Sequence, residues 1–190
     1  MKTLLLAALL SASVSNAALY EADKAHSEIG FKVKHLMVSK VKGKFKEFDF
    51  SYQFDEKSGI KGIKFKAKSA SIDTGNPKRD EHLRNQDFFD VKKKGNEEIT
   101  FESLETEKKG DKYLIKGKLT LKGITKDVEF LAECAENTDP WNNLKMGCEL
   151  EGKINREDFN LGWNKPLTKG GLLLGKEVFL DIATEAQIKK

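Results

Sequence analysis

The chain has 190 residues, of which 38% are hydrophobic and 34% are charged, and its formal net charge is +4 at pH 7. This length is typical of one domain. Twelve phenylalanines spread along the chain argue against intrinsic disorder, which requires a sequence poor in large apolar side chains. The lysines alternate with apolar residues and do not cluster, so we expect solvated strand faces and no nucleic-acid partner.

The first 17 residues have the three parts of a secretory signal peptide. A lysine supplies the positive charge, residues 4–10 form a short apolar stretch, and the small residues Ser15 and Ala17 fit a cleavage site. We expect the mature chain to begin at Ala18 and to form one domain over 18–190, in the periplasm or secreted. No later stretch approaches the roughly 20 apolar residues that span a bilayer, so we expect no stable membrane anchor.

Period-two alternation dominates the rest of the chain and predicts half-buried strands. Eight segments carry apolar residues at one parity and mostly charged residues at the other, and glycine-containing turns between several of them favour antiparallel hairpins. The positions that share the apolar parity are, in chain order, Ile29, Phe31, Val33 and His35; Phe48, Phe50, Tyr52 and Phe54; Ile63, Phe65 and Ala67; Ile99 and Phe101; Tyr113, Ile115, Leu119 and Leu121; Val128, Phe130, Ala132 and Cys134; Leu144, Met146, Cys148 and Leu150; Val178, Leu180 and Ile182.

One segment between the third and fourth of these strands breaks the alternation. Asn76 is a candidate N-cap, Pro77 suits the first helical position, and acidic residues follow in the first turn. We therefore predict a short helix over 77–86. One side of this helix is partly polar and could cover the mouth of a sheet. The residues on that side are Arg79, His82, Leu83 and Gln86.

Strands with one apolar face must close those faces against something, and a barrel or a sandwich does so. A barrel of about eight strands can be filled by side chains or can hold one small ligand. The many inward phenylalanines and the scarcity of other apolar residues favour a hollow antiparallel β-barrel of about eight strands, and the short helix could cover one end. A packed sandwich is the alternative.

Cys134 and Cys148 lie at inward parity on successive strands. In an exported chain this placement favours a disulfide, and two buried thiols are the alternative. The segment 170–177 nearly matches a phosphate-binding loop, but Glu177 replaces the required Ser or Thr and a strand follows, so we interpret it as a turn. No local motif indicates a catalytic triad, and we expect no enzymatic activity.

The polar residues that could contact a ligand are His35 and a cluster on the predicted helix. His35 lies at the apolar parity of its strand, so it is either a core histidine with a backbone partner or a polar group that meets a ligand. The cluster of Arg79, Asp80 and His82 is either ordinary helix surface, with Asp80 and Arg84 as a weak pair, or a charged lid. His26 shares no metal-binding spacing with the other histidines, so we expect no metal and no cofactor.

The sequence resembles the YceI-like family of exported, lipocalin-resembling proteins that bind polyisoprenoids and related lipids. The matching segments are Asp23-Lys24-Ala25-His26-Ser27, Ile29-Gly30-Phe31-Lys32-Val33-Lys34-His35-Leu36, Gly43-Lys44-Phe45-Lys46-Glu47-Phe48-Asp49, Ser71-Ile72-Asp73-Thr74, Arg79-Asp80-Glu81-His82-Leu83-Arg84, Asp87-Phe88-Phe89-Asp90, Gly117-Lys118-Leu119-Thr120-Leu121-Lys122-Gly123-Ile124-Thr125-Lys126 and Asp139-Pro140-Trp141. The resemblance implies an eight-stranded barrel that holds an extended apolar chain, without catalytic residues, and it makes a homodimer plausible.

The leading hypothesis is therefore an exported binding protein for a long-chain isoprenoid or fatty-acid-like ligand, serving transport, storage or stress protection. Its rivals are an enzyme that acts on such a lipid with a histidine as acid or base, and an interaction module built on a packed barrel. The candidate ligand-binding residues are Ile29, Phe31, Val33, Phe65 and Phe101 for the apolar chain and His35, Arg79 and His82 for its polar end.

Overall fold

The computed structural model describes residues 17–55 and 59–189. Apart from Ala17, the predicted signal peptide lies outside the described residues. Ten strands and one α-helix are present in the described part of the chain. Their bounds are Ala18–His35 (β1), Ser39–Phe45 (β2), Phe48–Asp55 (β3), Gly59–Lys68 (β4), Ile72–Asp73 (β5), Pro77–Arg84 (α1), Glu98–Lys109 (β6), Lys112–Leu121 (β7), Ile124–Thr138 (β8), Leu144–Asn155 (β9) and Leu174–Ile188 (β10).

Eight of these strands close into an antiparallel barrel, as the alternation predicts. Going round the wall, the order is β1, β3, β4, β6, β7, β8, β9 and β10, and β10 pairs with β1 to close the ring. Outward lysines pair with carboxylates on neighbouring strands: Lys68 Nζ lies 2.8 Å from Glu98 Oε1, and Lys118 Nζ lies 2.7 Å from Asp127 Oδ1. The barrel is therefore charged outside and apolar inside.

The first strand serves two partners along its length. Its first half pairs with β3, Ala18 lying opposite Phe54, and its second half pairs with β2, His35 lying opposite Ser39. The register with β10 shifts between Asp23 and Glu28, which marks a bulge where one partner gives way to the other. The strands β2 and β5 were not among the eight predicted ones, and they extend the wall beside β1.

The helix begins at Pro77, as predicted, but ends two residues before the predicted Gln86. Asn76 caps it, because its side chain accepts a hydrogen bond from the N–H of Arg79. Asn85 has extended backbone, and its N–H donates to the carbonyl of His82 at 3.2 Å, so the helix stops in a tight turn. The chain then turns inward and buries Phe88 and Phe89.

The two ends of the barrel differ. We call the helix end the one formed by the turn 36–38, the segment 69–97 and the connection 156–173, and the far end the one formed by the turns 110–111 and 139–143. A cluster of buried side chains fills the far half, so the interior is closed on that side. Its members are Tyr20, Phe50, Tyr52, Ile60, Met146, Cys148 and Ala186.

Candidate functional site

The barrel encloses a cavity of about 350 Å³ whose wall is almost entirely apolar. All eight barrel strands contribute inward side chains, and the helix and its following loop cover one side. Eight of the 12 phenylalanines line this space, which explains the surplus of phenylalanine in the composition. They are Phe31, Phe45, Phe50, Phe65, Phe88, Phe89, Phe101 and Phe130. The structure therefore has a cavity where the alternatives of a packed sandwich or a packed barrel would have a filled interior.

The structure places all eight predicted site residues at the wall of this one cavity. β1 supplies half of them, since alternation brings every second side chain of a strand to the same face. Those on β1 are Ile29, Phe31, Val33 and His35; Phe65 comes from β4, Phe101 from β6, and Arg79 and His82 from α1.

Three of the cavity's phenylalanine rings lie close to a glycine of the neighbouring strand. A Cβ atom built on any of these glycines would come within 3.0 Å of the ring that covers it. Glycine is therefore required where an aromatic ring approaches the backbone so closely. The pairs are Phe31 with Gly43, Phe101 with Gly117 and Phe130 with Gly152.

The charged and imidazole side chains of the wall, His35, Arg79, His82 and Arg156, lie at the helix end, whereas Tyr52 lies at the far side. Arg79 does not point freely into the cavity, because its Nε donates to Thr74 Oγ1 at 2.7 Å and its Nη2 donates to the Thr74 carbonyl at 2.9 Å. Thr74 also donates from its N–H to buried Asp80 at 2.9 Å. The expected surface pair of Asp80 with Arg84 is wrong, since Arg84 donates to the carbonyls of Ala70 and Ile72.

His82 connects the helix to the connection 156–173. Its Nε2 lies 2.8 Å from Asp87 Oδ2, and its ring stands edge-on to Phe88 and Trp163, with centroids 5.1 and 4.9 Å away. The carboxylate and the two aromatic rings together fix the orientation of the His82 imidazole. His82 and Trp163 both line the cavity at the helix end.

Arg156 is a cavity residue that the sequence reasoning missed. It is buried, with 3% of its surface exposed. Its Nε donates to the Gly175 carbonyl at 2.8 Å, and its Nη1 donates to the carbonyls of Leu161 and Trp163. Its Nη2 has no partner among the described residues, and burial lowers the pKa of the guanidinium. The parity predicted for its strand stops at Leu150, and continuing it through Gly152 and inward Ile154 leads to Arg156.

The two cysteines form a disulfide and belong to the cavity wall. Cys134 on β8 lies directly opposite Cys148 on β9, as their shared parity predicts. The bridge joins two neighbouring strands at the level where the cavity meets the far-end cluster. No free cysteine is present among the described residues.

A second group of polar residues lies outside the cavity, beside the bulge of β1. Asp23, His26 and Glu185 bring three potential ligand atoms within 4.8 Å of one another. Lys145 Nζ lies 3.0 Å from Asp23 Oδ2 and 3.3 Å from Glu185 Oε1, so an ammonium group already neutralises these carboxylates. We interpret the group as a structural ion-pair network. Within the described ranges, no helix is long and apolar enough to cross a bilayer.

Fold and site together define a class of protein. A closed eight-stranded antiparallel barrel with an apolar interior space and polar groups at one end has the architecture of small barrels that enclose a ligand. A family model described as the YceI-like domain matches residues 20–186. The chain belongs to the YceI-like family.

Individual relatives agree with this assignment. A UPF0312 protein of Photorhabdus laumondii is 43% identical over 158 residues, covering 81% of each chain. The crystal structure of the Campylobacter jejuni YceI protein is 35% identical, with a TM-score of 0.72 over 88% of this chain and 96% of that one. A polyisoprenoid binding domain from Saccharophagus degradans, implicated in plant cell wall breakdown, shares the fold at 13% identity, with a TM-score of 0.59 over 92% of this chain and 100% of that one.

Proposed function

We propose that this protein is exported and holds one long-chain apolar lipid, such as a polyisoprenoid, an isoprenoid quinone or a fatty acid or amide, inside its barrel. The observation that carries the proposal is the apolar cavity of about 350 Å³, a volume within the range of small-molecule sites. Burial of an alkyl or isoprenoid chain contributes about 0.8 kcal/mol per methylene, so such a wall binds without strong polar contacts. The fold it shares with a polyisoprenoid binding domain supports the same ligand class.

The position of the polar groups gives the ligand an orientation. The proposed contacts of the apolar chain are Ile29, Phe31, Val33, Phe65 and Phe101, and those of the polar end are His35, Arg79 and His82. Because the far half of the barrel is filled by packed side chains, the chain of the ligand points inward and its head lies at the helix end.

Export is supported by two features of different kinds. The N-terminal segment has the composition of a signal peptide. The disulfide between Cys134 and Cys148 forms and persists in oxidising compartments. Fractionation of cells that express the full chain, with mass spectrometry of the mature N-terminus, tests this part. We expect a periplasmic or secreted chain that begins at Ala18, and a cytoplasmic, unprocessed chain would contradict it.

Ligand binding is tested first on the wild-type protein. Organic extraction of purified protein followed by mass spectrometry should release a long-chain lipid, and emptied protein should bind a polyprenol saturably. A folded protein that releases no lipid and ignores polyprenols and fatty acids alike would refute the proposal.

Phe31→Lys then tests the site. It puts a charge on the cavity wall, and we expect polyprenol affinity to fall about tenfold or more because the ammonium loses its hydration there. Phe179→Lys is the matched control, since Phe179 is 39% exposed on the outer face of β10 and does not line the cavity. Equal affinity in the two variants would show that Phe31 is not in the binding site.

A further inference from the structure

The turn between β1 and β2 presents apolar side chains to solvent. Leu36, Met37 and Val38 are 41%, 50% and 85% exposed, and Leu172 of the neighbouring connection is 37% exposed. We call these four residues the apolar tip. Single exposed apolar residues are common on protein surfaces, but a contiguous group indicates a surface that binds something.

The apolar tip is held in place by its backbone. The N–H of Leu36 donates to the carbonyl of Leu173 at 2.8 Å, which joins the turn to the connection 156–173, and a Cβ built on Gly171 would lie 3.5 Å from Met37 Cγ. Leu36 and Met37 have φ of 53° and 64°, a left-handed conformation that favours glycine or asparagine. Large apolar side chains therefore occupy a turn whose backbone disfavours them, and strain of this kind concentrates at functional sites.

The surroundings of the apolar tip are basic. Residues 29–46 contain six lysines and no acidic residue, and residues 160–176 contain three lysines and no acidic residue. Within the described part of the chain, five of these lysines have no carboxylate partner, whereas others on the barrel wall pair across strands. The five unpaired lysines are Lys34, Lys40, Lys42, Lys165 and Lys169.

The apolar tip adjoins the cavity wall at the helix end. His35, which precedes Leu36, and Leu173, which follows Leu172, both line the cavity wall. An apolar molecule that leaves the cavity at this side would therefore pass from buried apolar wall to exposed apolar tip.

We propose that the apolar tip and its five unpaired lysines dock the barrel onto an anionic lipid bilayer, with the helix end of the barrel facing the lipid. Apolar side chains enter the boundary between headgroups and acyl chains, and lysines near the surface are attracted by anionic headgroups. This inference rests on the proposed function, because a lipid carrier must meet the membrane that supplies or receives its lipid.

Vesicle flotation of the mature protein tests the docking. We expect the protein to float with vesicles of phosphatidylglycerol and phosphatidylcholine, to float less in high salt, and to stay behind with pure phosphatidylcholine. Val38→Asp adds a carboxylate to the most exposed side chain of the apolar tip and should lower the vesicle partition coefficient about tenfold, since both apolar and electrostatic attraction are lost. Trp141→Asp is the control, since Trp141 is 81% exposed at the far end.

The outcomes separate docking from ligand binding. Val38→Asp should bind soluble polyprenol as the wild type does, because Val38 does not line the cavity. A wild-type protein that binds polyprenol but ignores anionic vesicles would overturn the docking and leave the carrier function standing. Equal losses in Val38→Asp and Trp141→Asp would also overturn it. A dimer that Val38→Asp converts to monomer, without vesicle binding by the wild type, would assign the tip to a second copy of the chain instead.

Discussion

Tyr20 and Tyr52 stack across β1 and β3 with ring centroids 5.5 Å apart and planes 7° from parallel, yet their hydroxyl groups have opposite fates. The Tyr20 hydroxyl donates to Glu136 Oε2 at 2.9 Å, whereas the buried Tyr52 hydroxyl has no partner among the described residues. Both side chains belong to the cluster that closes the far half of the barrel. Two similar rings therefore differ in what their hydroxyls contribute to stability.

Removing each hydroxyl in turn should have opposite effects. We expect Tyr52→Phe to raise the free energy of unfolding by about 1 kcal/mol, because it removes a buried donor without a partner, and Tyr20→Phe to lower it by about 1–2 kcal/mol, because it breaks the bond to Glu136. Urea denaturation of both variants measures these changes. A loss of stability in Tyr52→Phe would mean that its hydroxyl has a partner in solution.

The same tyrosines should make the protein sensitive to alkali. Burial, reinforced by the bond to Glu136, raises the pKa of Tyr20 to about 12, and burial also raises the pKa of Tyr52. Above pH 10 the unfolded chain releases these protons while the folded chain keeps them. The stabilisation that comes from these raised pKa values is therefore complete below pH 10. As the pH rises towards 12, the free energy of unfolding falls by up to about 1.4 kcal/mol per pH unit for each tyrosine.

Urea midpoints measured at a series of alkaline pH values check this slope. The double variant with phenylalanine at both positions is the control and should show a flatter dependence above pH 10. If the wild type and the double variant lose stability in parallel, other groups cause the alkaline unfolding.

Gly152 should control the width of the cavity. A Cβ at this position would meet the Phe130 ring at 2.7 Å, so Gly152→Ala must push the ring towards the barrel axis. We expect a loss of about 1–3 kcal/mol in stability from overpacking, and polyprenol affinity about tenfold lower. Gly147→Ala on the same strand is the control, because its Cβ would meet no atom closer than 3.9 Å. Unchanged polyprenol binding in Gly152→Ala would place the ligand away from Phe130.

Arg156 should matter for folding as much as for the site. Arg156→Met leaves the carbonyls of Leu161, Trp163 and Gly175 without their donor, so we expect a loss of about 3 kcal/mol, at about 1 kcal/mol for each bond. Lys126→Met, an exposed change of the same kind on β8, should cost little. Thermal unfolding compares them, and similar melting temperatures would contradict the role of Arg156 as the anchor of the connection.

The strand parity predicts most of the barrel because outward lysines leave little ambiguity. Phe31 and Val33 alternate with Lys32 and Lys34, and both line the cavity as predicted. The first half of β1 escapes the pattern because the bulge between Asp23 and Glu28 interrupts the alternation. The alternation also fails to predict β2. Its inward position opposite Phe31 is Gly43, which has no side chain, and the Phe31 ring fills that space.

The polar end of the cavity is harder to predict, since irregular segments build it. Arg79 and His82 were found because they lie on a helix with recognisable capping. Trp163 comes from a connection without periodicity, and it lies at the cavity through tertiary contacts with His82, Phe88 and Arg156. The position of Trp163 depends on contacts between segments that have no apolar periodicity, so the sequence pattern does not predict it.

The phenylalanine rings that lie close to glycines also indicate how the volume of the cavity could be changed. At 43 and 152, a Cβ atom would clash with the ring of Phe31 or Phe130, so a larger residue at either position requires that ring to move. The space inside the barrel therefore depends on Gly43 and Gly152, which are not themselves lining residues of the cavity. Substitutions at these two glycines offer a way to shorten or reshape the interior while leaving every wall residue in the sequence as it is.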